Sequence, residues 1–283
     1  MAQPIRRKRT VKKNKPRFFG KWFLFVFSFF LLLIITIGIY KFRDGFLYYL
    51  GFKTDKYANE LSADERKLTD IRIYEVLHKH DNKAIGFDVS EYQSEIDWEQ
   101  TYHIDEAFEL SFVFIRSTAG KDKIDSKFKE NWKAAKERQL IRGAYHYYRP
   151  NENSIEQAEN FIKTVKLQKG DLPPVLDIEK LPKSQSIDSL KVGLRRWLNR
   201  IEKHYKVKPI IYSGESYYTD FLKEEFSEYP LWIANYNFWR NDLESDWQFW
   251  QVTGKAQIEG IKGMVDINIF NGDKNKLLLK CIR

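Results

Sequence analysis

The sequence predicts an α/β fold, an irregular β/α barrel of about eight strands preceded by a single transmembrane helix. Three observations predict it. From Lys83 onward, short apolar strands alternate with amphipathic helical stretches, which implies parallel pairing. Eight such strands fit into about 200 residues, a barrel whose last connections are too short for full helices. Ahead of them, Trp22 to Tyr40 is a nineteen-residue run without a charge, long enough to cross a bilayer core as a helix.

The formal charge of +9 over 283 residues invites a nucleic-acid reading, but its location argues against one. Nine of the 48 basic residues lie in residues 1–21, which hold no acid, leaving 39 against 39 in the remainder. The globular part is therefore formally neutral, without the basic surface of a nucleic-acid binder. The run behind the tail has only Ser28 and Thr36 as polar relief, where a soluble core helix would show a polar face. No A-x-A-like cleavage site follows it, which favours an uncleaved anchor over a signal peptide. The expected organisation is a basic cytoplasmic tail (1–21), a transmembrane helix (22–41), a partly helical stalk (42–82) and a globular domain (83–283). The positive-inside bias puts the N-terminus in the cytoplasm and the globular domain in the periplasm or outside the cell, on a single-pass membrane protein. Cys281 is the single cysteine, so no intramolecular disulfide is available and the exported domain must rely on its core.

In chain order, Ser62-Ala63-Asp64-Glu65 reads as a capping box opening a helix on which Ile71, Tyr74, Leu77 and His78 recur at helical spacing. His78 and His80, two apart, do not share a helix face and read as a solvated pair. Residues 84–89 form the first strand, 112–116 the second, and 126–138 a helix. Residues 143–148 form the third strand, and 153–168 a helix with Ser154 as its cap. The fourth strand follows Pro173-Pro174. Residues 187–204 form an amphipathic helix, 209–212 the fifth strand and 215–224 a short helix. Residues 231–234, 247–251 and 264–268 complete the set of eight.

The fourth strand carries Asp177 and Glu179 two residues apart, so both carboxyls leave one face, roughly 6.6 Å apart along the strand. Like charges held that close in a shielded cleft cannot both ionise easily, so one stays protonated and serves as an acid. Glycoside hydrolysis needs such a pair: a carboxyl to protonate the leaving oxygen and a carboxylate for the developing positive charge. An isolated D-x-E is more often a solvated acidic pair. Here Asp88 and Asp266 accompany it at or near the C-terminal ends of the first and last strands, the end where β/α barrels build their sites. Tyr145, Tyr147, Trp232, Tyr236 and Trp250 lie in or just after strands, as sugar platforms or as core. Trp98 reads as packing behind the first strand.

Gly86-Phe87-Asp88-Val89-Ser90-Glu91-Tyr92-Gln93, Gly143-Ala144-Tyr145-His146-Tyr147, Leu176-Asp177-Ile178-Glu179, Leu231-Trp232-Ile233-Ala234-Asn235-Tyr236 and Val265-Asp266-Ile267-Asn268 occur in that order. Together they resemble the family 25 glycoside hydrolases, lysozymes (N-acetylmuramidases) that cut peptidoglycan between N-acetylmuramic acid and N-acetylglucosamine. The resemblance covers residues 84–272 and leaves tail, anchor and stalk outside. It implies an irregular β/α barrel and retention of configuration, with Glu179 as general acid, Asp177 as its partner, and Asp88 and Asp266 as further acids of the site. Asp177 either attacks the sugar or orients the substrate's own N-acetyl group. No cofactor or metal is expected. The expected partners are peptidoglycan and, through residues 22–41, the membrane. Two rivals stand beside this reading. A chitinase-like barrel would want further acids upstream on the D-x-E strand, where Pro173 and Val175 stand. A tethered peptidoglycan-binding module would have lost site acids that this chain keeps.

Overall fold

The computed structural model describes residues 26–33, 36, 63–104, 107–237, 240, 242 and 246–283. The chain divides into two compact units, residues 1–58 and 59–283. In the first, residues 26–33 and 36 are helical. The basic tail, the rest of the expected transmembrane run and residues 42–62 lie outside the described residues. Among the described residues, no helix is long and apolar enough to cross a membrane.

The second unit is built on ten strands: β1 (Ile85–Val89), β2 (His103–Ile104), β3 (Phe108–Ala119), β4 (Lys123–Ile124), β5 (Ile141–Tyr147), β6 (Val175–Asp177), β7 (Ile210–Gly214), β8 (Leu231–Ala234), β9 (Phe249–Ala256) and β10 (Val265–Phe270). Eight of them close a ring in the order β1-β3-β5-β6-β7-β8-β9-β10 and back to β1. All eight are the strands expected from the sequence. The two-residue strands β2 and β4 only decorate β3 and were not foreseen. Pairing is parallel from β1 round to β9. It is antiparallel on both sides of β10. The wholly parallel expectation fails at this one strand, because the turn from β9 into β10 is too short for the crossover that a parallel return needs. The barrel is therefore mixed.

The strands of the ring are largely buried on both faces, so their apolar runs are nearly continuous. Inward side chains build the floor: Phe112, Phe114, Val175, Ile210, Trp232, Phe249 and Phe270. The Phe114 and Trp232 rings stack 4.3 Å apart, and Gly143 makes room for them, since a Cβ there would lie 2.5 Å from the Phe114 ring. Outward side chains meet the helices α2 (Phe128–Glu137), α3 (Ser154–Thr164) and α4 (Ile187–Tyr205) in a second core layer. The cap of α3 is Asn153, whose side chain accepts from the Ile155 and Glu156 amides, with Ser154 already helical. Ser186 caps α4. Trp98 is buried against the outward ring of Phe87, as the sequence implied.

The helix α1 (Ala63–Lys79), foreseen as part of a stalk, packs on the barrel within the same compact unit. Its buried residues are Arg72, Ile73, Val76 and Leu77, followed by His80. Ile71, Tyr74 and His78 face outward instead. The helix carries apolar residues on two neighbouring stripes, so spacing alone could not choose between them. His80 is not solvated: it is 3% exposed, edge-on to the Trp250 ring.

Candidate active site

The D-x-E pair sits where β6 runs out. Strand β6 ends at Asp177, but the chain stays extended for two more residues. The Tyr148 amide donates to the Asp177 carbonyl (2.8 Å), and the Ile178 amide donates to the Tyr212 carbonyl (3.0 Å). The Ser213 hydroxyl donates to the Ile178 carbonyl (2.7 Å). Ile178 points outward into the helix layer. Asp177 and Glu179 consequently share the inward face, with Asp177 5% exposed and Glu179 half-buried.

Asp88 and Asp266 reach the same mouth by opposite chain directions. They are direct cross-strand partners in the β1–β10 ladder. Asp88 is the penultimate residue of β1, whereas Asp266 is the second residue of β10, near its N-terminal end. The expectation of a C-terminal position is corrected here: only the antiparallel course of β10 turns that end toward the mouth. Gly254 on β9 leaves the space that the Asp266 carboxylate fills, since a Cβ at 254 would lie 2.7 Å from Oδ1.

A polar network ties these acids together. The Asp88 carboxylate accepts from Gln251 Nε2 (2.7 Å) and Asn268 Nδ2 (2.8 Å) at the same oxygen. Trp232 Nε1 in turn donates to Asn268 Oδ1 (2.8 Å). With its amide nitrogen turned to Asp88, Gln251 presents Oε1 to two phenols. Tyr212 donates to it at 2.7 Å, and Tyr236 donates to it as well. Tyr212 also touches Glu179 Oε1 at 3.3 Å, and Tyr236 touches Asp266 Oδ1 at 3.5 Å. Burial pushes the Tyr212 phenol well above its ordinary pKa, and the charges of Tyr236, Glu179, Asp177 and Asp266 add to it. Burial likewise raises Tyr145; the charges of Asp88, Asp177 and Asp266 add to the effect while Arg116 opposes it. Both phenols therefore stay protonated, and the four acids converge on these two rings.

The five aromatic candidates separate. Tyr145 and Tyr147 point inward on β5 and are half-buried, and Tyr236 is 44% exposed. The Lys180 ammonium lies over the Tyr147 ring, 5.3 Å from its centre. Trp232 and Trp250 have no open face to offer a sugar. Trp232, 2% exposed, belongs to the floor. Trp250, fully buried, points outward, and its Nε1 donates to the Asn235 carbonyl (3.0 Å). Strand parity separates Trp250 from its neighbour Gln251: one side chain must leave each face.

Tyr212, Gln251 and Asn268 are the residues that sequence reading left as strand filler. Their signal was present. Gln251 and Asn268 are polar residues inside otherwise apolar strands, and Asn268 follows Asp266 at the same i, i+2 spacing as the D-x-E pair.

Comparison with known proteins agrees with this geometry. The family model described as glycosyl hydrolases family 25 matches residues 87–261. The uncharacterized protein YegX of Escherichia coli K12 is 41% identical over 194 residues, covering 68% of this chain and 71% of its own length. Lysozyme M1 of Streptomyces globisporus is 32% identical over 208 residues, covering 68% of this chain and 69% of its own. Among solved structures, a family 25 glycosyl hydrolase from Bacillus anthracis superposes with a TM-score of 0.63 at 28% identity, over 71% of this chain and 95% of that one. With a closed mixed barrel, a mouth of four acids and a family match over most of its length, the chain belongs to glycosyl hydrolase family 25 and is a glycoside hydrolase.

Proposed function

We propose that the protein is a membrane-anchored lysozyme that hydrolyses the β-1,4 bond between N-acetylmuramic acid and N-acetylglucosamine in peptidoglycan with retention of configuration. Glu179 is the general acid and Asp177 its partner. Asp88 and Asp266 supply the surrounding negative charge, and Tyr145, Tyr147 and Tyr236 line the sugar path. The lysozyme relative from S. globisporus supports the substrate class. The anchor rests on the uncharged run 22–40 behind nine basic residues.

One observation supports the assignment of Glu179: its contact with the Tyr212 hydroxyl at the head of the network. A carboxylate at Asp88 can only accept, so Gln251 gives it the amide hydrogens and keeps Oε1 for the phenols. Tyr212 has one hydroxyl hydrogen. At 2.7 Å from Gln251 and 3.3 Å from Glu179, that hydrogen belongs to Gln251. Glu179 Oε1 lies 3.3 Å from the same hydroxyl, so a proton on Glu179 would have the Tyr212 oxygen beside it as an acceptor. A protonated carboxyl in that place is what departure of the leaving sugar requires.

The steps then balance. Glu179 protonates the glycosidic oxygen as the bond to the anomeric carbon breaks. Asp177 accepts from the acetamido N–H of the same sugar, so the acetamido oxygen closes on the anomeric carbon from the opposite face. Glu179, now a carboxylate, takes a proton from water that attacks the ring-closed intermediate. Two inversions give retention.

Glu179→Gln keeps the shape and loses the proton. Release of reducing ends from purified peptidoglycan should fall by about 10²–10⁴-fold with thermal stability unchanged. A wild-type rate in this variant sinks the assignment. For the anchor, protease added to spheroplasts should digest the domain and spare the tail. Recovery of the domain in culture fluid without its first forty residues overturns that part.

A further inference from the structure

We propose that Arg72 on α1 is a positioning residue for the active site: it braces the segment after β8 that delivers Tyr236 to Gln251 and Asp266. The inference rests on the reading that Tyr236 belongs to the site. The helix lies outside the matched family segment, which begins at residue 87.

Arg72 is 7% exposed. A buried guanidinium is costly unless its donors are used. Its Nη2 donates to the Asn237 carbonyl (2.6 Å) and to the Arg240 carbonyl (2.9 Å). Those carbonyls lie one and four residues beyond Tyr236. The same segment is held from the barrel side. The Arg240 guanidinium donates to both Glu215 carboxylate oxygens (3.1 Å each), the Asn235 amide donates to Glu215, and Trp250 holds the Asn235 carbonyl. Lys79, at the end of α1, pairs with Asp242 (3.6 Å).

The helix has a fixed seat from which to act. Ile73, Val76 and Leu77 are buried within the core, and His80 meets the Trp250 ring edge-on. Trp250 neighbours Gln251 on β9. One helix thus supports both partners of the Tyr236–Gln251 hydrogen bond, the strand from behind and the loop from the side. Neither backbone carbonyl carries side-chain information, so a guanidinium here selects a loop conformation and adds no chemistry of its own.

The test is a double-mutant cycle in the full chain, read as kcat/KM on purified peptidoglycan. Arg72→Ala and Tyr236→Phe should each lower it about tenfold, and the double variant should be no slower than the slower single. Contacting residues in one network are non-additive in this way, whereas independent ones add. Arg72→Gln, which keeps one donor, should recover part of the rate and serves if the alanine variant folds poorly. An Arg72 variant with wild-type kcat/KM overturns the brace, and so does a loss that adds in full to that of Tyr236→Phe. Glu179→Gln is measured alongside. If it too is active, the proposed function has failed. If it is dead while the Arg72 variants are fully active, only the brace has failed.

Discussion

The floor and the mouth of the barrel are built by the same strands, two residues apart, and they follow opposite rules. On β9 the floor residue is Phe249 and the mouth residue Gln251; on β7 they are Ile210 and Tyr212; on β6 they are Val175 and Asp177. On β10, which runs the other way, Phe270 is floor and Asn268 and Asp266 are mouth. Floor side chains interlock and owe their stability to area removed from water and to close contact. Mouth side chains are as buried in several cases, with Gln251 2% and Asn268 0% exposed, yet they are polar. They are tolerated because the network supplies them with partners. The apolar floor ends where the acids begin. That places the acids on a surface whose underside is closed to water by the floor.

Two substitutions sharpen the contrast when read together. Phe114→Ala removes a ring packed against Trp232 and Phe249 and should cost about 3–5 kcal/mol of stability. At temperatures where it is folded, its rate should stay within a few-fold of wild type. Asp88→Asn should do the reverse. It removes the negative charge from the oxygen that orients Gln251 and Asn268 and turns the other oxygen into an N–H donor, so turnover should fall by about 10²-fold while the melting temperature moves little. Chemical denaturation beside steady-state kinetics checks both. If Phe114→Ala loses as much turnover as Asp88→Asn, floor and mouth are not separable and the contrast breaks.

A smaller effect lies outside the ring, on the opposite face of the strand that carries Tyr145 and Tyr147. Burial holds the His146 imidazole down to about 3, against an ordinary value of 6.5. Thr118 meets its Nδ1 at 2.7 Å, and its ring stacks on Trp197. Between those pH values the unfolded chain binds a proton that the folded chain refuses. Stability therefore falls as pH drops from 6.5 toward 3 and is flat in this respect above 6.5. Glu91 works in the same direction. Burial alone would raise it, but the Ser126 amide, Lys123, the Ser126 hydroxyl and Arg116 hold it to about 2, against 4.5. Its contribution is present above pH 4.5 and is lost as pH falls through 2. Melting temperature should decline steadily from pH 6.5 to pH 3, and less steeply in His146→Gln. An equal decline in both proteins removes His146 from the account.

The strands, the acids and the family resemblance were legible in the sequence because each is written in contiguous residues. Apolar runs of four to eight residues mark the strands, and D-x-E needs only the two-residue period to put Asp177 and Glu179 on one face. What parity does to Trp250 and Gln251 was also implicit, once the inward face of β9 is known. The rest belongs to tertiary structure. Gln251 and Asn268 lie 163 and 180 residues from Asp88, and no local pattern states that they meet. The antiparallel course of β10 follows from its short connection to β9, and only that course, in a ring closed against β1, carries Asp266 to the mouth. The buried stripe of α1 is chosen by what the barrel offers it, and Arg72 finds its carbonyls 165 and 168 residues away. Local periodicity determines which face a side chain leaves; only the closed barrel determines what that face meets.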